Sequence, residues 1–488
     1  MTRKVEKFET RNIPHRACLR KCKSDILQPF SIYVYIYIKR NRKIVMQIER
    51  DAILNRLIQA ENHHLVKIIT GIRRCGKSYL LFTLFKNHLL RSGVPQKRIL
   101  EVNLEKDEFK PLRNAVALSA YLHKRIDKRG KRTYVLIDEI QLVQKALPDG
   151  VDLSQIHPDD RESAYVTFHD VLNGLLNTSN VVTYVTGSNS KMLSSDIATE
   201  FRGRGEVIHM TPLSFNEFLS VKNNFPDRAS ALENYLLFGG LPECVLMSTD
   251  EEKRNYLEYL YNTIYMKDIV DRHKLPSDTI LKALTDVIMS GIGGITNPQK
   301  LANAVQTVMR TPCSRPTIAS YLDYLEDAFL IAKARKYDIK GKRYFESPMK
   351  CYATDLGIRN IHIGNRQLEM PHLVENALYN ELVRCGYTVD VGEVSTSCRK
   401  DGKIVRKTCE IDFVVNRGYE RIYIQSAWMI PDAKKMAQET FSLKHTGDNF
   451  RKVVIDGSPM SIKHIDNDGI GHIGLLDFLT DPKSIETL

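Results

Sequence analysis

The sequence predicts an α/β fold built on a parallel sheet, and three short apolar runs carry that prediction. Leu65 to Thr70 (LVKIIT), Tyr134 to Ile137 (YVLI) and Val181 to Val185 (VVTYV) are too short for helices and rich in β-branched residues. Nearly continuous apolar runs of this length belong to strands covered on both faces, as in a parallel sheet flanked by helices. Helical spacing follows the first run (YLLFTLFKNHLL) and precedes the third (Thr167 to Leu176).

The chain has 488 residues, enough for about two to four domains. Hydrophobic residues at 43%, charged residues at 26%, 26 Gly and 18 Pro match a globular average and exclude collagen-like, coiled-coil and wholly disordered classes. The apolar run Phe30 to Ile38 falls far short of the ~20 residues that span a bilayer, so no membrane insertion is expected. The net charge is +13, but residues 1–45 hold twelve Lys or Arg against three acids, which accounts for most of it. Any basic surface elsewhere must therefore be local. This basic leader lacks the small-residue cleavage site of a secretory signal. Met46 opens an amphipathic pattern, MQIERDAILNRLIQ, and is an alternative start, so residues 1–45 are left out of the functional reading. Nine scattered cysteines, with only Cys18 and Cys22 close together, read as free thiols of a reducing cytosol, and the expected location is cytoplasmic.

The first strand runs directly into Gly71-Ile-Arg-Arg-Cys-Gly76-Lys77-Ser78 and then into a helix. Strand, glycine loop, helix is the order of a phosphate-binding loop. Gly71 and Gly76 let the backbone N–H groups turn inward, Lys77 places its charge at the β- and γ-phosphates, and Ser78 offers a hydroxyl to Mg²⁺. The second strand ends in Asp138 and Glu139. Asp138 is placed to hold Mg²⁺ and Glu139 to polarise an attacking water. The third strand ends in Thr186-Gly-Ser188-Asn189-Ser, where Ser188 and Asn189 are candidates to contact the γ-phosphate or the water, or form a turn opening the next helix. Downstream, Arg202 and Arg204 lie on a glycine-flexed loop. Either guanidinium suits transition-state charge, in cis or from a neighbouring subunit, and either suits a structural ion pair. Lys145 to Ser163, rich in Pro, Asp and Gly, reads as a surface loop.

The strings GIRRCGKS, YVLIDEIQ, DVLNGLL, TGSNSKMLSSDIATEFRGRGEVIHMTPLSFNEF and YLLFGGLPECV resemble the bacterial and archaeal AAA-type ATPases that carry a C-terminal domain of unknown function, over roughly residues 46–460. The resemblance implies a P-loop NTPase fold of three layers, ATP and Mg²⁺ as cofactors, and Gly71, Arg73, Arg74, Cys75, Gly76, Lys77 and Ser78 as the nucleotide-binding loop. It also implies Asp138 and Glu139 as the acidic pair, and Arg202 or Arg204 as a sensor or finger.

The expected organisation is an ATPase core over residues 46–240, a helical linker over 241–277, a winged-helix module over 278–360 and a nuclease-like domain over 361–488. The winged-helix reading comes from three helical segments, near Thr279 to Met289, Asn297 to Val305 and Arg315 to Ala328, followed by two alternating runs around Ile339-Lys-Gly341-Lys. Lys333, Arg335, Lys336, Lys340, Lys342 and Arg343 would line the wing and suit DNA phosphates, whereas Asp323, Glu326 and Asp327 on the third helix oppose them.

The last region places Glu375 on a helix, Asp412 on one strand and Gln425 on the next, in the order of restriction-endonuclease-like folds. The resemblance implies this nuclease-like core as well. The lysine that such chemistry uses is replaced by Ala427, which makes a degenerate site the expectation and leaves Lys403 or Lys407 as substitutes. The reading is thus a Mg²⁺-dependent AAA-type ATPase that couples ATP hydrolysis to an unknown partner or a nucleic-acid transaction, with DNA through the winged helix and a protein partner or homo-oligomer as the candidate partners. The alternatives are an ATP-gated metal-dependent nuclease and a nucleotide-switched DNA-binding or docking protein.

Overall fold

The computed structural model describes residues 48–127, 130–188, 203–222, 225–310, 312–364, 368–400, 403–458 and 461–488. The basic leader, Asn189 and Arg202 lie outside the described residues. Residues Ile48–Leu488 form one unit. The first helix is Asp51–Ala60, several residues later than the pattern from Met46 predicts. The cause is Arg50, whose buried guanidinium donates to Thr211 O (2.9 Å) and pairs with Glu217 (2.9 Å), holding its backbone out of the helical region.

Five strands make the first sheet: β1 Val66–Thr70, β2 Ile99–Asn103, β3 Thr133–Asp138, β4 Val181–Gly187 and β5 Gly205–His209. All pair in parallel in the order β2-β3-β4-β1-β5. This is the P-loop NTPase arrangement that the runs predict, with β2 and β5 added. Every residue of β1, β3 and β4 is buried, because helices cover both faces. One face packs Val66, Ile68, Val135, Ile137 and Val185 against Leu118, Leu122 and Leu172. The other packs Ile69, Leu136 and Tyr184 against Leu80 and Phe85 of the helix that follows the glycine loop.

That second core continues without a break into Leu257, Tyr261 and Ile269, then into Leu284 and Leu322. The linker helix runs through Asp250–Tyr259, Leu260–Tyr265 and Met266–His273, opened by a Thr249–Glu252 capping box and ended by Lys274 at φ 48°. The Lys145–Ser163 segment is a chain of short turns, Leu153–Gln155, Pro158–Asp160 and Glu162–Ala164, on the surface.

The middle region has helices Thr279–Ser290, Pro298–Met309 and Arg315–Asp327, the last two capped by Asn297 and Ser314 with Pro in the first turn. Its strands β6 Ile295–Thr296, β7 Ile331–Asp338 and β8 Arg343–Ala353 pair antiparallel with β8 in the centre. The C-terminal region adds helix Met370–Arg384, β9 Thr388–Lys400, β10 Lys403–Arg417, β11 Glu420–Ala427, helix Ala433–Lys444, β12 Arg451–Asp456, β13 His464–Ile465 and β14 Gly471–Gly474. These do not form a separate sheet. β7 pairs in parallel with β9, Lys336 opposite Val391 and Asp338 opposite Glu393, so nine strands run as β13-β14-β12-β11-β10-β9-β7-β8-β6. No helix among the described residues is long and apolar enough to cross a membrane.

Candidate nucleotide site and a second acidic cluster

The glycine loop is shaped by three residues at positive φ: Gly71 (145°), Arg74 (66°) and Gly76 (102°). A Cβ on Gly71 would lie 2.0 Å from Met210 O, so only glycine fits there. Lys77 is 4% exposed and folds back over the loop, donating to Gly71 O (2.9 Å) and Ile72 O (3.1 Å). Cys75 is buried with its thiol toward Met210 O (3.6 Å), a packing role for a position predicted to bind nucleotide. Arg73 turns away from the loop to pair with Asp268 of the linker helix (2.9 Å), and the Tyr265 hydroxyl donates to Arg73 O (3.0 Å). Arg74 is exposed.

The acidic pair sits at the tip of β3, next to the tip of β4. Thr186 Oγ1, fully buried, donates to Asp138 Oδ1 (2.5 Å) and accepts from Glu139 N (2.9 Å). Glu139 is held at φ 56°, a left-handed conformation that costs a non-glycine residue roughly 1–2 kcal/mol. Ser188 donates to Glu139 Oε2 (3.1 Å), and Gln141 Nε2 bonds the same oxygen and Ser188 Oγ (3.2 Å). Burial pushes the Asp138 carboxyl up to about 6, opposed by the Thr186 hydrogen bond and the nearby Ser78 hydroxyl and reinforced by Glu139 and Glu105. Asp138 Oδ2 is buried without a hydrogen-bond partner. A hydroxyl and a carboxylate oxygen brought together beside a lysine-bearing loop are the donor set that Mg²⁺ takes, so Ser78 and Asp138 fit that ion. His209, at the end of β5, is a neutral imidazole at physiological pH, since burial and the Lys77 ammonium push it down to about 4.

Thr186 and Gln141 carry no sequence signal of their own, although each lies within two residues of a marked one. Thr186 reads as one more β-branched strand residue, and only the parallel pairing of β3 with β4 brings it to the acids. Arg204 is a correction. Its carbonyl accepts from Val66 N (3.0 Å) at the start of β1, the opposite end of the strand from the loop, and its guanidinium reaches Asn173 (3.3 Å). Four strand residues at ~3.3 Å each separate it from the phosphate side, so it cannot serve its own site in cis.

Part of the expected wing is engaged in pairing. Lys333 pairs with Asp323 (2.7 Å) and Glu326 (2.6 Å), Lys336 with Glu393, and Arg343 with Asp338 (3.4 Å), while Lys340 donates to Ser395 O (2.8 Å). The helix acids thus hold a strand lysine, and Arg335 and Lys342 are left outside these pairs.

Glu375, Asp412 and Gln425 do converge. Asp412 lies where the β9–β10 register shifts between Ile411 and Val414, and the irregularity re-aims it. Its Oδ2 accepts from Gln425 Nε2 (3.0 Å) and Ser426 N (2.8 Å). Burial first, then the Glu375 charge, raise its pKa well above the usual carboxylate range. Ala427 sits at the end of β11 opposite Asp456, and Lys407 lies over the Phe441 ring (5.2 Å). The cation comes from elsewhere: Lys350 of β8 lies 2.8 Å from Glu375 and 2.6 Å from Glu410. No sequence signal marks it, because it is 25 residues from Glu375 on a strand read as part of the wing.

Comparison with known proteins places an AAA domain in the first half of the chain. Residues 63–219 match the family model of an AAA domain, and residues 229–369 that of a domain of unknown function, DUF8612. An uncharacterized protein of Haemophilus influenzae is 33% identical over 437 residues, covering 88% of this chain and 98% of that protein. An uncharacterized protein of Methanocaldococcus jannaschii is 28% identical over 384 residues, 76% of each chain. Among solved structures, the Walker-type ATPase of Pyrococcus abyssi aligns at 15% identity with a TM-score of 0.42, over 65% of this chain and 96% of that one. With the Haemophilus relative matched along nearly its whole length and an AAA domain within the chain, this protein belongs to that family of AAA ATPases.

Proposed function

We propose that this chain is a Mg²⁺-dependent ATPase that couples hydrolysis to a nucleic-acid transaction or a protein partner engaged by its middle and C-terminal regions. The observation that carries the reading is the junction of Ser78, Asp138, Thr186 and Glu139 beside the Lys77 loop, with one Asp138 oxygen buried and unpartnered. Gly71, Gly76 and the loop between them wrap the phosphates, and Lys77 exchanges its loop carbonyls for phosphate oxygens. Ser78 and Asp138 would hold Mg²⁺, whose charge would offset that of the phosphates. Glu139 orients and polarises the water, while Ser188 and Gln141 hold its carboxylate until substrate is seated. Arg202, or Arg204 from a neighbouring subunit, supplies transition-state charge. An intact Glu139 supports turnover over a purely nucleotide-switched binding role. DNA contact through the middle region would rest on the exposed Arg335, Lys340, Lys342 and Arg343, in a cytoplasmic protein.

The test is ATP turnover by the full chain with and without Mg²⁺, duplex DNA and single-stranded DNA, beside Glu139→Gln. Turnover that requires Mg²⁺ and falls by roughly two or more orders of magnitude in Glu139→Gln, with ATP binding kept, is the expected result. Turnover within a few-fold of the unmodified protein would assign the water to another residue.

A further inference from the structure

Three carboxylates from two elements converge on one ammonium at the seam between the middle and C-terminal regions. Lys350 Nζ lies 2.8 Å from Glu375 Oε1, 2.6 Å from Glu410 Oε1 and 3.9 Å from Asp412 Oδ1, and the lysine side chain is 3% exposed. Glu375 Oε1 also accepts from the Tyr352 hydroxyl (2.7 Å), and Asp412 Oδ2 is taken by Gln425 and Ser426. Glu375 comes from helix Met370–Arg384, Glu410 and Asp412 from β10, and Lys350 from β8, which pairs with β6 and β7.

Carboxylates taken out of water must meet a cation. Oxygen clusters of this kind take Mg²⁺ or Mn²⁺ when the centre is open. Here the centre holds an ammonium, and among the described residues no group of three or more acidic, His or Cys side chains is arranged to hold a metal ion. We infer that Lys350 is the resident cation of this cluster and fills the place in which a divalent metal would otherwise be held, making a metal-independent joint between β8 and the C-terminal helix and sheet. The inference stands apart from the ATPase reading, since it concerns residues that the nucleotide site does not use. It also replaces the question of a missing lysine at Ala427: the positive charge is present, delivered from the neighbouring region, and it is spent on closing the site.

The experiment is a Mn²⁺ titration of the full chain without nucleotide, followed by the electron paramagnetic resonance of free Mn²⁺, with far-UV circular dichroism as the check on folding. The unmodified protein and Glu410→Gln should bind the same number of Mn²⁺ ions. Lys350→Ala should gain one ion, at least about tenfold tighter than any site in the unmodified protein, and Lys350→Ala with Glu410→Gln should lose it again. Lys350→Arg, which keeps the charge, should gain none. Loss of a Mn²⁺ site in Glu410→Gln alone would show a metal beside Lys350 and overturn the inference, and this comparison decides the matter even where Lys350→Ala does not fold. A folded Lys350→Ala that gains no ion would overturn it as well. ATP turnover enters none of these outcomes, so failure of the ATPase reading is separately visible.

Discussion

Arg73, inside the phosphate-binding loop, forms an ion pair of 2.9 Å with Asp268, on the last segment of the linker helix, Met266–His273. Asp268 is shared with Arg272 one turn on, so the loop and the linker helix hold a common carboxylate. Nucleotide that draws Arg73 toward its phosphates must compete with this pair. Asp268→Asn should therefore tighten ATP binding by about fivefold, the scale of a part-exposed ion pair, in a fluorescent-nucleotide titration. Weaker binding would mean that Asp268 supports the loop instead of restraining it.

Lys77→Ala removes the ammonium now parked on Gly71 O and Ile72 O. Most nucleotide affinity should go with it, measured by calorimetry, while the thermal midpoint of the nucleotide-free protein should change little. Unchanged ATP affinity would refute the assignment of the loop.

Thr186→Val keeps the shape of the side chain and deletes both of its hydrogen bonds to the acidic pair. The buried Glu139 N–H then has no acceptor, at a cost of about 1–3 kcal/mol in denaturant unfolding. Turnover should fall more than about tenfold, because Glu139 loses the contact that fixes its left-handed backbone. An effect on stability alone would make Thr186 a structural residue.

Gly239, at φ 73°, faces the Asp355 carboxylate: an added Cβ would lie 2.3 Å from Asp355 Oδ1. Gly239→Ala should cost more than about 2 kcal/mol, from backbone strain and overlap together. Gly150→Ala, at φ 85° in open space, carries the strain alone and should cost about half as much. Equal costs in urea unfolding would remove Asp355 from the account.

Asp355 accepts from Gly240 N (2.8 Å) and Ile358 N (3.1 Å), yet burial pushes its carboxyl up to about 6. The folded chain therefore keeps a proton that the unfolded chain releases near pH 4, and stability from this group falls as pH rises from about 4 to about 6. Above that window the full cost of the buried charge is present. Asp355→Asn should flatten the stability profile between those pH values relative to the unmodified protein; an unaltered slope would place the titration elsewhere.

The nucleotide site was legible because its parts are local. A strand, a glycine loop and a helix are contiguous, and the acids follow their own strand directly, so order alone marks Lys77, Ser78, Asp138 and Glu139. What stayed hidden depends on pairing between distant segments. β5, GEVIH, carries Glu206 and His209 and lacks a continuous apolar run, yet it is a full member of the sheet. Thr186 became part of the site through the β3–β4 register, and Lys350 through the approach of β8 to helix Met370–Arg384. Lys333 and Lys336 were misplaced on the surface for the same reason, since their acidic partners sit on a helix and on β9, whereas Arg335, Lys340, Lys342 and Arg343 are exposed.

The hydrogen bonds between β7 and β9 make the two halves of the second sheet a single plate rather than two hinged bodies. A chain cut at residue 360 would leave β7 with an open parallel edge, and open edges recruit strands from other molecules. Fragments ending there should stick to one another, whereas a cut that removes both regions together leaves the edges of neither exposed.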